Sequence, residues 1–99
     1  TPPDPVTNLT ATGGAGVAAV EWKTPNDDTH NSTRIYRATG TGADFSTASL
    51  TETVFGPANV VQSIEDVGLT PETYVYWAAS ANASGVESTL AGPVEATVT

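Results

Sequence analysis

Two turn signals, Gly68-Leu69-Thr70-Pro71 and Asn82-Ala83-Ser84-Gly85, enclose a run in which Tyr74, Val75, Tyr76 and Trp77 follow one another without a polar break. Pro71 fixes φ at a corner. The residues after it then sort onto two faces at the strand period of two. With Tyr74 inward, Tyr76, Ala78 and Ser80 share its face, and Val75, Trp77, Ala79 and Ala81 take the other. A strand apolar on both faces, entered through a corner, suits a chain crossing between two packed sheets.

The rest of the chain fits this frame. Val17 to Lys23 alternates, with Ala18, Val20 and Trp22 forming a core face. It is preceded by a Thr-rich strand from Val6 to Thr12, anchored by Leu9, and by the turn Gly13-Gly14-Ala15-Gly16. A polar, acidic loop from Thr24 to Asn31 leads into a strand from Ser32 to Ala38 with Ile35 inward. The connection Thr39 to Ser49 is long and rich in Gly, Ser and Thr, and Phe45 is its only large apolar residue and expected attachment to the body. Leu50 to Phe55 and Val60 to Asp66, the latter with Ile64 inward, read as two short strands around Gly56-Pro57-Ala58-Asn59. Tyr74 to Ala81 and Val86 to Thr99 complete the series, the last interrupted near Gly92-Pro93. No helical period or internal repeat is present, so the expected fold is an all-β antiparallel sandwich of about seven strands.

Composition removes several classes of function. A chain of 99 residues holds one core. Without Cys it forms neither disulfides nor thiolate metal sites. Eleven acidic residues against Lys23, Arg34 and Arg37 leave a net charge of −8, which opposes binding to a phosphate backbone, so no nucleic-acid partner is expected. No apolar run reaches the roughly 20 residues that span a bilayer, and no membrane insertion is expected. Residues 1–5, Thr1-Pro2-Pro3-Asp4-Pro5, have the composition of a stiff linker or lead-in, with a single domain over residues 6–99; a segment cut from a longer chain is the expectation.

Several motifs together carry a family likeness: Pro2-Pro3 before Leu9, Trp22 followed by Pro25, Arg34-Ile35-Tyr36-Arg37, Asp66 before Gly68-Leu69-Thr70-Pro71, then Tyr74 and Asn82-Ala83-Ser84-Gly85. The whole chain resembles a fibronectin type III domain, an immunoglobulin-like sandwich. The resemblance implies Trp22 in the core between sheets of three and four strands, and a tyrosine corner formed by Leu69, Pro71 and Tyr74. The spacing from Leu69 to Tyr74 is one residue shorter than usual and Glu72 stands where Gly is usual, which leaves the hydroxyl partner of Tyr74 open. Tyr36-Arg37, Gly56-Pro57-Ala58, Tyr74-Val75-Tyr76-Trp77 and Gly92-Pro93-Val94 further resemble modules of bacteriophage tail-tip or tail-fibre proteins and of secreted bacterial polysaccharide-degrading enzymes. These settings imply a virion or extracellular location and a spacer or contact role without catalysis or cofactor. The partners implied are neighbouring domains or subunits of one assembly, or cell-surface polysaccharide.

Face assignment supplies one candidate surface. Inward Ile35 turns Arg34 and Tyr36 outward beside Val75 and Trp77, where a guanidinium could cover a ring. These four residues make either a contact surface for protein or sugar, or a cross-strand ladder that shields the sheet. Asn26, Asp27, Asp28 and His30 bring oxygen donors together, but without the spacing of a calcium loop, and a solvated acidic loop is expected there. His30 is the sole His, so no multi-His zinc site exists, and Ser32 with Asp28 nearby does not make a triad. The tripeptides starting at Asn8, Asn31 and Asn82 match a glycosylation acceptor by composition alone. The Asn82–Gly85 turn contains no Arg-Gly-Asp.

Overall fold

A computed structural model describes residues 2–99. Its seven strands are β1 (Thr7–Gly14), β2 (Val17–Lys23), β3 (Ser32–Thr39), β4 (Ser49–Phe55), β5 (Val61–Val67), β6 (Thr73–Ala81) and β7 (Ala91–Thr97). All ladders are antiparallel, in a three-stranded sheet β1-β2-β5 facing a four-stranded sheet β4-β3-β6-β7. This is the all-β antiparallel sandwich of seven strands expected from the strand pattern, with the three-against-four sheets that the fibronectin type III resemblance implies. Among the described residues the sole helical turn is Phe45–Thr47 in the β3–β4 connection.

The core lies where alternation puts it. Ala18, Val20 and Trp22 from one sheet meet Ile35, Tyr74, Tyr76 and Ala78 from the other, with Leu9, Ile64 and Leu69 packed at its margin. Trp22, Val20, Ile35 and Tyr76 are wholly buried, and burial of an aliphatic side chain such as Val20 or Ile35 stabilises the fold by roughly 1.5–3 kcal/mol. One ionic link crosses between the sheets. Asp66 on β5 accepts from Arg37 Nη1 at 2.6 Å and from the Tyr76 hydroxyl at 2.7 Å. Arg37 also lies over the Tyr74 ring, 5.5 Å from its centroid.

The tyrosine corner forms despite its altered spacing. Tyr74 donates from its hydroxyl to the Thr70 carbonyl at 3.2 Å, while Pro71 sits exposed at the bend. The Glu72 carboxylate, in the place of the usual Gly, accepts from Thr70 Oγ1 at 2.6 Å, and so fixes the turn from outside.

The two sides of the sandwich differ. On one, β1 and β7 meet so closely that a Cβ on Gly13 would sit 1.8 Å from the Thr97 carbonyl oxygen, so only glycine fits. Thr99 N–H donates to the Gly14 carbonyl, and Gly16 N–H to the Thr99 carbonyl. The other side is bounded by β4 and β5, each the last strand of its sheet.

Strand ends depart from the sequence reading in two places. β1 runs through Gly13 and Gly14, because their pairing with Ala18 and Val17 outweighs the turn preference of glycine. Val86 to Leu90 is not strand apart from a single bridge between Glu87 and Ala81; β7 begins at Ala91 and passes through Gly92-Pro93 with a register shift opposite Tyr76 and Ala78.

Candidate functional site

The outer face of the four-stranded sheet holds the predicted surface residues. β3 and β6 pair Tyr36 with Trp77, Ala38 with Val75 and Arg34 with Ala79. Val75 and Trp77 therefore point away from the main core, as alternation requires, and form a separate cluster with Ala38. They are not open to solvent. Trp77 is only 5% exposed, because the β3–β4 connection folds back across the sheet and lays Ala43, Phe45 and Ala48 over this cluster.

The cover is held at several points. Phe45 meets Tyr36 edge-on at 5.1 Å and Trp77 edge-on at 5.5 Å, so the predicted attachment residue does attach the loop. Gly42 N–H donates to the Glu95 carboxylate on β7 at 2.9 Å, and Gly40 N–H to the Thr73 carbonyl at 2.8 Å. Gly40 and Gly42 both have φ in the left-handed region, which lets the chain reverse over the sheet. Of the two alternatives for these residues, an open contact surface does not describe Val75 and Trp77, which the chain's own flap covers, and Phe45, 39% exposed, is the accessible apolar element.

Arg34 lies on the same face but serves a carboxylate rather than a ring, and the Tyr36 hydroxyl shares that carboxylate. Glu87 accepts from Arg34 Nη1 at 2.9 Å and from the Tyr36 hydroxyl, which ties the β6–β7 connection to the sheet across Ala79 and Ala81. The Glu87 hydrogen bond is the main force holding the Arg34 proton more firmly than usual. Burial foremost, then Glu87, pushes the Tyr36 hydroxyl up.

The loop between β2 and β3 is more structured than a solvated acidic segment. Asp27 accepts from the Asp4 and Thr29 backbone N–H groups and from the Thr29 hydroxyl, all at 2.7–2.9 Å, and these bonds hold its carboxyl below the usual range. His30 is buried, with Nδ1 2.6 Å from Ser80 Oγ, and burial lowers its pKa against a smaller opposing pull from Asp27. Ser80 in turn receives a bond from Ser88 N–H on its carbonyl and donates its own N–H to Ser88 Oγ. Thr24, which drew no notice in the sequence, is buried and binds the Pro57 carbonyl and the Val60 N–H, both at 2.9 Å. A Thr beside Pro25 and opposite a Gly-Pro turn was the available signal for that lock.

Among the described residues no group of three or more His, Cys, Asp or Glu could hold a metal ion. A shallow recess of about 330 Å³ lies beside the chain's start, lined by Asp4, Pro5, Lys23, Asn26 and Asn59 among others. Among the described residues no helix is long and apolar enough to cross a membrane.

The chain has the fibronectin type III-like fold. No protein-family model matches its sequence, and no curated protein does so. Among solved structures, an Fn3-like protein from Clostridium thermocellum is similar over 100% of this chain and 96% of its own, with TM-score 0.73 and 20% identity. A myokine structure is similar over 100% of both chains, with TM-score 0.67 and 18% identity. The FN1–FN3 segment of chicken CNTN1 is similar over 96% of this chain and 34% of its own, with TM-score 0.64 and 11% identity.

Proposed function

We propose that this chain is a non-catalytic module of a larger virion protein, in a phage tail tip or fibre, or of an extracellular bacterial protein, where it spaces and contacts its neighbours. The observation that carries this reading is the placement of the two ends. The body is 38 Å long, and β1 begins beside Lys23 at one pole while β7 finishes beside Thr73 at the other. Both ends are tied down, Pro3 by burial and Asp4 by Asp27 at the first pole, Thr99 by Gly14 and Gly16 at the second. Segments joined to such ends are held at a set separation with little freedom to bend. The virion setting is supported by the likeness of the Tyr36-Arg37, Gly56-Pro57-Ala58 and Gly92-Pro93-Val94 motifs to tail modules.

A second reading, a carbohydrate-binding module, is favoured by the grouping of Tyr36, Phe45 and Trp77. Their geometry speaks against it, since Phe45 shares a plane with neither neighbour, meeting Tyr36 at 75° and Trp77 at 76°, and Trp77 is itself buried. Antibody raised against the domain, applied to purified phage particles and to the secreted fraction of the source culture, separates the settings. Tail labelling supports the first reading. Signal confined to a secreted glycosidase, with the domain retarded in polysaccharide gels, overturns it.

A further inference from the structure

The fold has four edge strands, and three of them carry a device that discourages pairing with another chain. β1 has a register break between Thr7 and Thr10, and it is also covered on its far side by β7. β4 is bulged opposite Ile35 and Tyr36. β7 contains Pro93 and a register shift. Among the described residues β5 has no register break, bulge, Pro or covering strand, and its two charged residues, Glu65 and Asp66, lie toward its C-terminal end. It pairs with β2 over all seven residues without a shift, contains neither Pro nor Lys, and among the described residues no strand covers its second edge.

The outer face of β5 reads Val61, Ser63, Glu65, Val67, since Val20, Trp22 and Ala18 of the inner face pair with Ile64, Gln62 and Asp66. Val61 is 64% and Val67 69% exposed, high values for aliphatic side chains in regular strand. This pattern is complementary to itself when read backwards. In an antiparallel pair of two β5 strands, opposed residues must share a face, so the two-fold axis passes through a residue position. Centred on Ile64, the pairing sets Val61 against Val67 of the second copy at both ends and Ser63 against Glu65 between them. Centring on Glu65 would oppose two carboxylates, and centring on Ser63 would set Val61 against Glu65. The same operation on β4 about its midpoint would oppose Glu52 to itself.

We infer that the free edge of β5 is a self-association surface, through which two copies of this chain form a continuous six-stranded sheet β1-β2-β5-β5-β2-β1. The occupant is a second copy because register and apolar contact match for β5 against itself and no carboxylate is set directly opposite another. The net charge of −8 on each copy opposes the approach, so added salt strengthens the dimer. This inference is independent of which larger protein carries the chain.

Sedimentation velocity of the 99-residue chain from micromolar to millimolar concentration, at 0.05 and 0.5 M NaCl, tests it. Dimer is expected, more at high salt. Val61→Lys and Val67→Glu alone each disrupt two symmetric cross-strand contacts and weaken dimerisation roughly tenfold. The double variant restores it, because each new Lys then lies opposite a new Glu of the second copy. Both side chains are exposed, so all variants should melt cooperatively near the parent temperature, which separates loss of pairing from loss of fold. A chain monomeric throughout overturns the inference, as does a dimer indifferent to the single changes or a double variant no better than either single.

Discussion

Replacing Phe45 with Ala tests whether the flap over Trp77 is held by that ring. Phe45 is 39% exposed, so about three fifths of its surface is covered, on the order of 100 Å² of the ~150–250 Å² an aromatic side chain can bury. At ~25 cal/mol per Å² that is about 2.5 kcal/mol as an upper bound. A freed flap recovers conformational entropy, so the net loss expected is about 1–2 kcal/mol. For a domain of this size that lowers the melting temperature by roughly 5–15 °C. The sharper readout is optical. The chain has two tryptophans, both buried, and only Trp77 lies under the flap. Acrylamide should quench neither in the parent and one in the variant, with a red-shifted emission component. Because Gly42 and Gly40 still hold the flap at Glu95 and Thr73, the variant should remain folded. Unchanged quenching would show that the ring does not cover Trp77 and would refute the reasoning.

Two further outcomes follow from the buried polar contacts. Asp66→Ala should cost about 2–3 kcal/mol in urea denaturation, mostly because the buried Tyr76 hydroxyl loses its acceptor, with the partly exposed Arg37 pair adding at most about 1 kcal/mol. Once Tyr76→Phe is present, the same change should cost about 1 kcal/mol or less, and simple additivity would contradict the shared bond. His30 should make the fold acid-sensitive. Its folded pKa lies below the ordinary value of 6.5, so its neutral form is preferred by the native state, stability is full above pH 6.5, and it declines as pH falls from there through the folded pKa. Asp27, also shifted down, adds a second loss below its ordinary 3.8. His30→Gln should flatten the first decline in thermal melts recorded from pH 7.5 to 4.5, and an unaltered profile would count against this assignment.

The fold was largely legible because it rests on period-two alternation and on turn residues, both local properties. Trp22, Val20, Ile35, Tyr74 and Tyr76 were placed inward correctly for that reason. The site is less legible, and the cause is physical. Alternation says which face a side chain takes, but not what lies on that face. Val75 and Trp77 were correctly turned outward, yet their cover comes from a Gly-rich connection whose path no local pattern encodes. Glu87 shows the same limit. Its bonds to Arg34 and Tyr36 join positions about fifty residues apart through an irregular loop, and only the folded chain brings them together. His30 was read as part of a solvated loop because its neighbours are polar, whereas its ring is taken inward by Ser80 on a distant strand.

The contact between β1 and β7 has a mechanical meaning. The two strands run in the same direction, and the N-terminal end enters β1 at one pole while the C-terminal end leaves β7 at the other, so tension applied at the ends pulls them past each other. The bonds from Thr99 to Gly14 and from Gly16 to Thr99 then lie across the line of force and share the load, instead of opening one after another as in a peeled hairpin. Gly13, which allows the backbones to touch there, is the residue on which resistance to stretching would depend.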